Sequence, residues 1–169
     1  LGDNLFLYTP FAFIHEMLAV YNPVLQKMNR AVLSKQIRKQ LKRLGFDSPV
    51  RASWIYHPLQ YTYFGIADES FRVYKCWDLY RIRDYPDKLK EVIVSYEQKI
   101  VKESSIILTP CIELYKKLSI DNINTHFTPG GVDLNLFGRA LNRSLDIPKD
   151  MSGINSPRIG FSGYINEKV

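Results

Sequence analysis

The 169-residue chain contains few of the residues that build metal or redox sites. Its two cysteines, Cys76 and Cys111, lack the C-x-x-C spacing of such motifs. The three histidines lie too far apart along the sequence to suggest a metal site. We therefore expect two buried free thiols in a reducing cytoplasm, with a disulfide as the alternative, and we expect no metal.

Long hydrophobic runs and the common nucleotide-binding motifs are also missing. No apolar stretch approaches the roughly 18 residues of a transmembrane helix. There is no G-x-G-x-x-G turn, Walker loop or nucleophile elbow, so the usual sequence evidence for several enzyme classes is absent. The sequence begins with Leu1 rather than Met and has no signal peptide, so we expect it to lie inside a longer protein.

The composition is that of a globular domain with a basic surface. Hydrophobic residues make up 46% of the chain and charged residues 24%, which is enough for a core at this length. The net charge of +6 favours anionic partners such as nucleotide phosphates, nucleic acid or acidic lipid.

Short apolar runs alternate with helical patterns along the chain. Four runs end at a proline and a fifth ends at Asp78. Short apolar runs that are separated by helical segments are typical of a parallel sheet whose crossovers are helices. The predicted fold class is therefore α/β, with a Rossmann-like parallel sheet flanked by helices. The five runs span residues 4–10, 54–58, 71–78, 106–110 and 125–129.

Three helices are predicted between these runs. The first spans 22–44, with Asn22 as its N-cap and Pro23 at its first position. The second spans 87–103 and has a clear apolar stripe. The third spans 110–118, and Thr109 is its expected cap. The polar stretch 138–157 is typical of a linker.

The first predicted helix has a polar face that is rich in lysine and arginine and contains no acid. This face is either an ordinary solvated surface or one that rests on anionic lipid, at about 1 kcal/mol per basic group. Nucleic acid is a third option, but no aromatic platform supports it. The residues expected to face a membrane are Lys35, Arg38, Lys39 and Lys42.

Candidate site residues follow the predicted strands, because ligands of parallel sheets bind outside the carboxyl ends of the strands. Asp78 comes directly after Trp77 and would place a carboxylate beside a large aromatic ring, either as a general base or as a turn residue. His57 and Thr109 hold equivalent positions. The Gly130-Gly131 pair permits a sharp turn with positive φ, and we interpret it as the exit from a domain.

Three motifs together resemble a known family. The stretch Gly130 to Phe137 is similar to the (N/G)-G-V-D-x-x-x-F motif of family 4 glycosyltransferases. Ser105 to Pro110 is similar to the strand that precedes a helix in that family. Arg158 to Lys168 resembles the strand and loop that open its second domain. The order and spacing match over roughly residues 50–169.

The resemblance implies a GT-B architecture of two Rossmann-like domains. Residues 1–137 would form the acceptor-side domain, 138–157 a linker, and 158–169 the start of the nucleotide-sugar-binding domain. The chain by itself would be an inactive fragment, because the family's Gly-rich loop and its donor-site acids are missing from it. Pro-Gly-Gly also replaces the commoner Pro-Asn-Gly.

The implied activity is transfer of a sugar from a nucleoside-diphosphate-sugar to a hydroxyl of a glycan or lipid-linked acceptor, without a metal. The expected location is cytoplasmic, at the inner face of a membrane if the basic helix binds lipid, with no nucleic acid partner. The implied roles are catalysis by Asp78, acceptor binding by His57, Trp77 and Thr109, and donor binding by Gly130, Gly131, Gly163 and Lys168.

Two other functions remain open from the sequence. One is a non-catalytic membrane-surface or interaction domain that uses the basic helix 22–44. The other is a nucleotide-sugar epimerase, which lacks here its Gly-rich turn and its Tyr-x-x-x-Lys pair.

Overall fold

The computed structural model of the chain describes residues 5–46, 48, 51–80, 83–141 and 146–161. Its contacts divide the chain into two compact units, one ending at Gly130 and the other beginning at Gly131. The division falls inside the Pro-Gly-Gly stretch, ahead of the expected domain boundary at residue 137.

The first unit contains four strands, four α-helices and one 3₁₀ helix in the described residues. In chain order they are α1 (Glu16–Ala19), α2 (Pro23–Arg43), β1 (Ala52–Ile55), a 3₁₀ helix (Pro58–Tyr63), β2 (Phe71–Lys75), α3 (Asp87–Glu103), β3 (Ile106–Thr109), α4 (Ile112–Leu118) and β4 (Thr125–Phe127).

The four strands form one parallel sheet in the order β1-β2-β3-β4. In the register of this sheet, Tyr74 lies opposite Ile55 on one side and Ile107 on the other. Each connection runs to the next strand in the same direction, and parallel crossovers are right-handed, so the connections lie on one face of the sheet. The predicted α/β class with a parallel sheet flanked by helices is confirmed, and it is compatible with a Rossmann-like fold.

The core lies between that face of the sheet and the helices. Tyr74 and Ile107 are fully buried, and so are Ile93 and Ile100 of α3. Leucines of α4 complete the same cluster. Burying a side chain of this size stabilises the fold by about 1.5–3 kcal/mol, so this face supplies most of the stability of the unit.

The opposite face of the sheet is much more exposed on its β1 and β2 strands. Trp54 of β1 is 51% exposed and Phe71 of β2 is 42% exposed. Trp54 and Phe71 are an odd number of residues away from the core residues Ile55 and Tyr74, respectively. The two-residue period of a strand therefore places them on the opposite face of the sheet. The exposure follows from the topology, because the crossovers cover the other face.

Two helices begin as the sequence predicts. Asn22 caps α2, where its side-chain oxygen accepts hydrogen bonds from the N–H groups of Val24 (2.9 Å) and Leu25 (3.2 Å). Past the end of α2, Gly45 has a φ of 73°. Helix α3 spans the predicted residues 87–103.

Helix α4 begins later than predicted. Cys111 is its N-cap, and Thr109 is the last residue of β3 rather than the cap. Pairing of Thr109 with Phe127 of β4 holds Thr109 in the sheet, so the chain must leave the strand before it can turn into the helix.

The inward face of α2 is not a simple apolar stripe. Its buried residues are Asn29 and Leu33, whereas Met28 is exposed. The Asn29 side chain exchanges two hydrogen bonds with the backbone of Ile14, at 2.7 Å and 3.0 Å. The segment beneath α2 is irregular, and its polar backbone groups need hydrogen-bond partners that an apolar stripe could not supply.

The first apolar run is not a strand. Residues 5–10 have no regular structure, and Leu7 is 86% exposed. The chain beyond the run is tied to α2 instead, because the Gln36 side-chain amide exchanges two hydrogen bonds with the backbone of Phe11, at 3.0 Å and 2.8 Å. The expected strand at 4–10 was therefore wrong over its described residues.

The second unit contains a short helix, α5 (Leu134–Gly138), which Asp133 caps through hydrogen bonds from the N–H groups of Asn135 and Leu136. Single 3₁₀ turns follow at 139–141 and 149–151. Residues 158–161, where the sequence predicts a strand, have no strand structure. The rest of that predicted strand lies outside the described residues.

The capping of α2 gives a direct stability test. We expect Asn22→Ala to lower the free energy of unfolding by about 1 kcal/mol, because two helix N–H groups lose their acceptor. The measurement is urea denaturation, with Asn124→Ala as the control at an exposed position outside any helix. Equal losses in both variants would contradict the capping role.

Candidate functional site

The carboxyl ends of the four parallel strands meet at one edge of the sheet, where ligands of such sheets bind. The segments that leave this edge begin at Tyr56, Cys76, Pro110 and Thr128. Most of the first-unit residues that the sequence singled out lie on these segments. Their side chains form two groups, one after β1 and β2 and the other across the ends of β2 and β4.

Asp78 belongs to the first group, and its carboxylate accepts hydrogen bonds from two residues that follow it in the sequence, Leu79 and Arg83. Its Oδ1 accepts a hydrogen bond from the Leu79 N–H at 2.7 Å. Its Oδ2 accepts one from Arg83 Nε at 2.7 Å and another from Arg83 Nη2. The ion pair raises the pKa of the Arg83 guanidinium above its ordinary value. Both Asp78 oxygens therefore accept hydrogen bonds within the chain, which hold the carboxylate in one orientation.

His57 lies against the same group. Its Nδ1 accepts a hydrogen bond from the Leu59 N–H at 3.1 Å, so a neutral ring carries its proton on Nε2. Its ring meets the Tyr80 ring edge-on at 4.4 Å. Partial burial, together with the positive charge of Arg83, lowers the pKa of His57 below its usual 6.5. His57 is therefore a neutral donor at pH 7, and it also caps the 3₁₀ helix.

Tyr80 links the segments after β1 and β2. Its hydroxyl donates a hydrogen bond to the Tyr56 carbonyl at 2.8 Å. The Arg83 guanidinium lies over the Tyr80 ring, 5.8 Å from its centroid. His57, Tyr80, Arg83 and Asp78 consequently form one connected group at the edge of the sheet.

The second group is centred on Lys75. Its ammonium donates hydrogen bonds to the Thr128 hydroxyl at 2.7 Å and to the Thr128 carbonyl at 3.3 Å. The same ammonium lies 4.9 Å from the centroid of the Trp77 ring. Trp77 is 51% exposed. A fixed positive charge, a hydroxyl and an accessible indole face are thus brought together at the strand ends.

Thr109 is not available to a ligand at this edge. It is fully buried, and its hydroxyl donates toward the His126 carbonyl at 3.4 Å. Its own carbonyl accepts the Thr128 N–H at 2.7 Å. The expected acceptor contact at Thr109 is therefore replaced by a structural one, which fixes the chain after β4.

The Gly130-Gly131 pair does not make the expected sharp turn. Residues 128–133 contain no turn, and the described glycines with positive φ are Gly45 and Gly65. A Cβ at Gly130 or Gly131 would meet no atom within 4 Å. The remaining predicted donor residues, Gly163 and Lys168, lie outside the described residues.

The basic face of α2 divides into engaged and exposed residues. Arg38 donates to the Ile66 carbonyl at 3.0 Å and pairs with Asp68 at 2.7 Å, so it anchors the loop before β2. Lys35, Lys39 and Lys42 are exposed. Among the four residues expected to face a membrane, these three lysines make no hydrogen bond or ion pair like those of Arg38 within the described residues.

Sequence reasoning missed four residues of these groups: Lys75, Tyr80, Arg83 and Thr128. Lys75 was treated as part of an apolar run, although the period of two puts it on the exposed face of β2. Arg83 follows Asp78 closely in the sequence, and its partner could have been proposed from charge alone. No sequence pattern pairs Lys75 with Thr128, because their contact depends on how β2 and β4 are arranged.

Both cysteines are free, Cys76 fully buried and Cys111 partly buried, and burial raises the pKa of Cys76 to about 11. Within the described residues, no three His, Cys, Asp or Glu side chains form a metal-binding group. None of the helices found there has both the length and the apolar character needed to cross a membrane.

Comparison with known proteins adds no relative. No protein-family model matches the chain, and neither curated proteins nor solved structures gave a match.

The lowered pKa of His57 predicts a pH-dependent stability. The unfolded chain takes up a proton at His57 more readily than the folded one. The contribution of neutral His57 to the free energy of unfolding is therefore present above about pH 6.5 and is lost as the pH falls below that value. We expect the melting temperature to fall on acidification, and His57→Asn to reduce that fall. The measurement is thermal unfolding from pH 8 to pH 5. His126→Asn, at an exposed position, is the control, and an unchanged slope in His57→Asn would contradict the assignment.

Proposed function

We propose that this chain forms the acceptor-side domain of a glycosyltransferase. The reaction moves a sugar from a nucleoside-diphosphate-sugar to a hydroxyl of a glycan or lipid-linked glycan. The observation that carries the proposal is the Lys75, Trp77 and Thr128 group at the carboxyl edge of a parallel sheet. The resemblance of Gly130 to Phe137 to the family 4 motif supports it independently.

The chemistry of this group suits a carbohydrate. A sugar has an apolar face of C–H groups and a rim of hydroxyls, so it needs an aromatic surface beside a few fixed hydrogen-bonding groups. Trp77 offers the surface, and the ammonium of Lys75 and the hydroxyl of Thr128 offer the polar contacts. His57, with Nε2–H as a neutral donor, would bind the acceptor from the neighbouring strand end.

Asp78 has the role of positioning the acceptor hydroxyl in this proposal. Its two oxygens are held by Leu79 and Arg83, so it is oriented but is not a free base. Fixed orientation of a reacting hydroxyl contributes to rate by itself, because it lowers the entropy cost of reaching the transition state. Deprotonation by Asp78 would first require the carboxylate to leave Arg83.

Donor binding is assigned from the resemblance. Gly130 and Gly131, with Gly163 and Lys168, would bind the nucleoside diphosphate through backbone N–H groups and one ammonium. Such groups stabilise the charge that develops on a leaving diphosphate without a metal. The open space around Gly130 and Gly131 leaves their backbone accessible to a ligand.

The role of Asp78 is tested by turnover. In the complete protein we expect Asp78→Asn to lower the rate of sugar transfer by about a hundredfold, because the acceptor loses its orienting carboxylate. The affinity for the nucleotide-sugar should stay nearly unchanged. The measurement is transfer from radiolabelled nucleotide-sugars to glycan acceptors. Asp84→Asn, at an exposed position nearby, is the matched control, and normal turnover in Asp78→Asn would end the assignment.

A second candidate function is a membrane-surface domain located at the inner face of a membrane. The observation that favours it is the row of exposed lysines on α2, Lys35, Lys39 and Lys42. Near an anionic surface each would contribute about 1 kcal/mol, which together is enough for a measurable, salt-sensitive attraction.

The lysine row is tested with vesicles that contain phosphatidylserine. We expect replacement of Lys35, Lys39 and Lys42 by Gln to abolish salt-sensitive sedimentation with the vesicles. The control removes the same charge elsewhere, at the exposed Lys88, Lys102 and Lys116. If both triple variants bind alike, the row is an ordinary solvated surface.

A further inference from the structure

A groove opens near the amino end of β2, away from the two side-chain groups at the carboxyl edge. Arg72 stands near the start of this strand, whereas Lys75 ends it, about 10 Å further along. The groove has a volume of about 320 Å³, which lies within the range of sites for small organic ligands. It is lined by Pro23, Gln26, Lys27, Arg30, Tyr61, Thr62, Phe64, Arg72 and Glu103.

The lining carries three cations, Lys27, Arg30 and Arg72, and one acid, Glu103. Arg72 is paired, because its Nη1 donates to Glu103 Oε2 at 2.8 Å and its Nε to Glu69 Oε1 at 3.1 Å. In the described part of the chain, the salt bridges include neither Lys27 nor Arg30. The groove therefore has positive charge that its own carboxylates do not balance.

Two guanidinium groups converge on Gly65. A Cβ at this position would lie 2.9 Å from Arg30 Nη2 and 3.3 Å from Arg72 Nη2, so the two nitrogens are no further apart than the sum of those distances. The φ of Gly65 is 78°, and a side chain there would push the guanidiniums apart. Glu69 already offsets the charge of Arg72 at this point, so a further anion would gain most from the neighbouring guanidinium of Arg30.

Both guanidiniums keep hydrogen-bond donors for a ligand. Arg30 uses two N–H groups on the carbonyls of Thr62 and Phe64, and Arg72 uses its own on Glu69 and Glu103. A guanidinium has five N–H donors, so each retains several. The two side chains are partly buried, which strengthens their attraction for an anion compared with fully solvated groups.

We propose that this groove binds a phosphate monoester. Its dianion would be held by Arg30, Arg72 and Lys27, since guanidinium and ammonium donors match the terminal oxygens of a phosphate. Glu103 accepts a hydrogen bond from Arg72 and another from the Tyr61 hydroxyl at 2.7 Å. A phosphate replaces this carboxylate on Arg72 with an oxyanion of higher charge, and the Tyr61 ring flanks the group esterified to it.

The proposal is independent of sugar transfer and is tested by binding alone. We would titrate the chain with inorganic phosphate and with glucose 6-phosphate, and follow the amide signals of α2 by NMR. Lys27→Glu should weaken binding at least about tenfold, because a cation of the site becomes an acid. Lys88→Glu makes the same change at an exposed position of α3 outside the groove and should have little effect.

A second variant keeps the test valid if the first one is poorly folded. Glu103→Gln removes the carboxylate that competes for Arg72, so it should tighten binding, whereas a purely structural role of Glu103 would predict no gain. Unchanged or weaker binding in a folded Glu103→Gln variant would overturn the proposal. Equal affinities of Lys27→Glu and Lys88→Glu would overturn it as well.

The phosphate could belong to a soluble metabolite or to a lipid headgroup. Vesicles that contain phosphatidic acid carry the same monoester, so a third titration uses them. Binding of the vesicles without binding of glucose 6-phosphate identifies the headgroup as the source, provided that Lys27→Glu abolishes it. If Lys27→Glu leaves vesicle binding intact and the soluble esters do not bind, the proposed phosphate site is wrong.

Discussion

The structure of the first unit depends on the order of its strands, which is the same in the sheet as in the chain. Right-handed crossovers then lie on one face, and that face buries Tyr74 and Ile107 against α3. The same order leaves Trp54 and Phe71 exposed on the other face. Because the strands also run parallel, their carboxyl ends lie at one edge of the sheet, and the proposed function depends on that edge.

Residues that are distant in sequence meet at this edge because the strands run parallel. Lys75 at the end of β2 reaches Thr128 after β4, and its ammonium lies over Trp77. Asp78 is held in one orientation by Arg83. These contacts make the edge a preorganised polar surface beside an aromatic ring, and this is the physical basis for proposing a carbohydrate ligand.

Local patterns predicted much of the fold. The cap at Asn22, the stripe of α3 and four of the five apolar runs specify elements through interactions between near neighbours in sequence. The strand predicted at 4–10 does not form over its described residues. A strand is stable only beside a neighbouring strand, and the sequence alone does not show which runs will pair. The site was predicted only in part, since Asp78 and Trp77 follow a strand, but the contact of Lys75 with Thr128 depends on tertiary placement.

The central claim is that the carboxyl edge of the sheet binds a carbohydrate acceptor at Trp77. The two tryptophans, Trp54 and Trp77, are each 51% exposed, and each has one indole N–H that NMR can follow. In a titration with a panel of trisaccharides, our account predicts a saturable shift of the Trp77 indole signal while the Trp54 signal stays in place. Equal movement of both signals, or movement of neither, would contradict it.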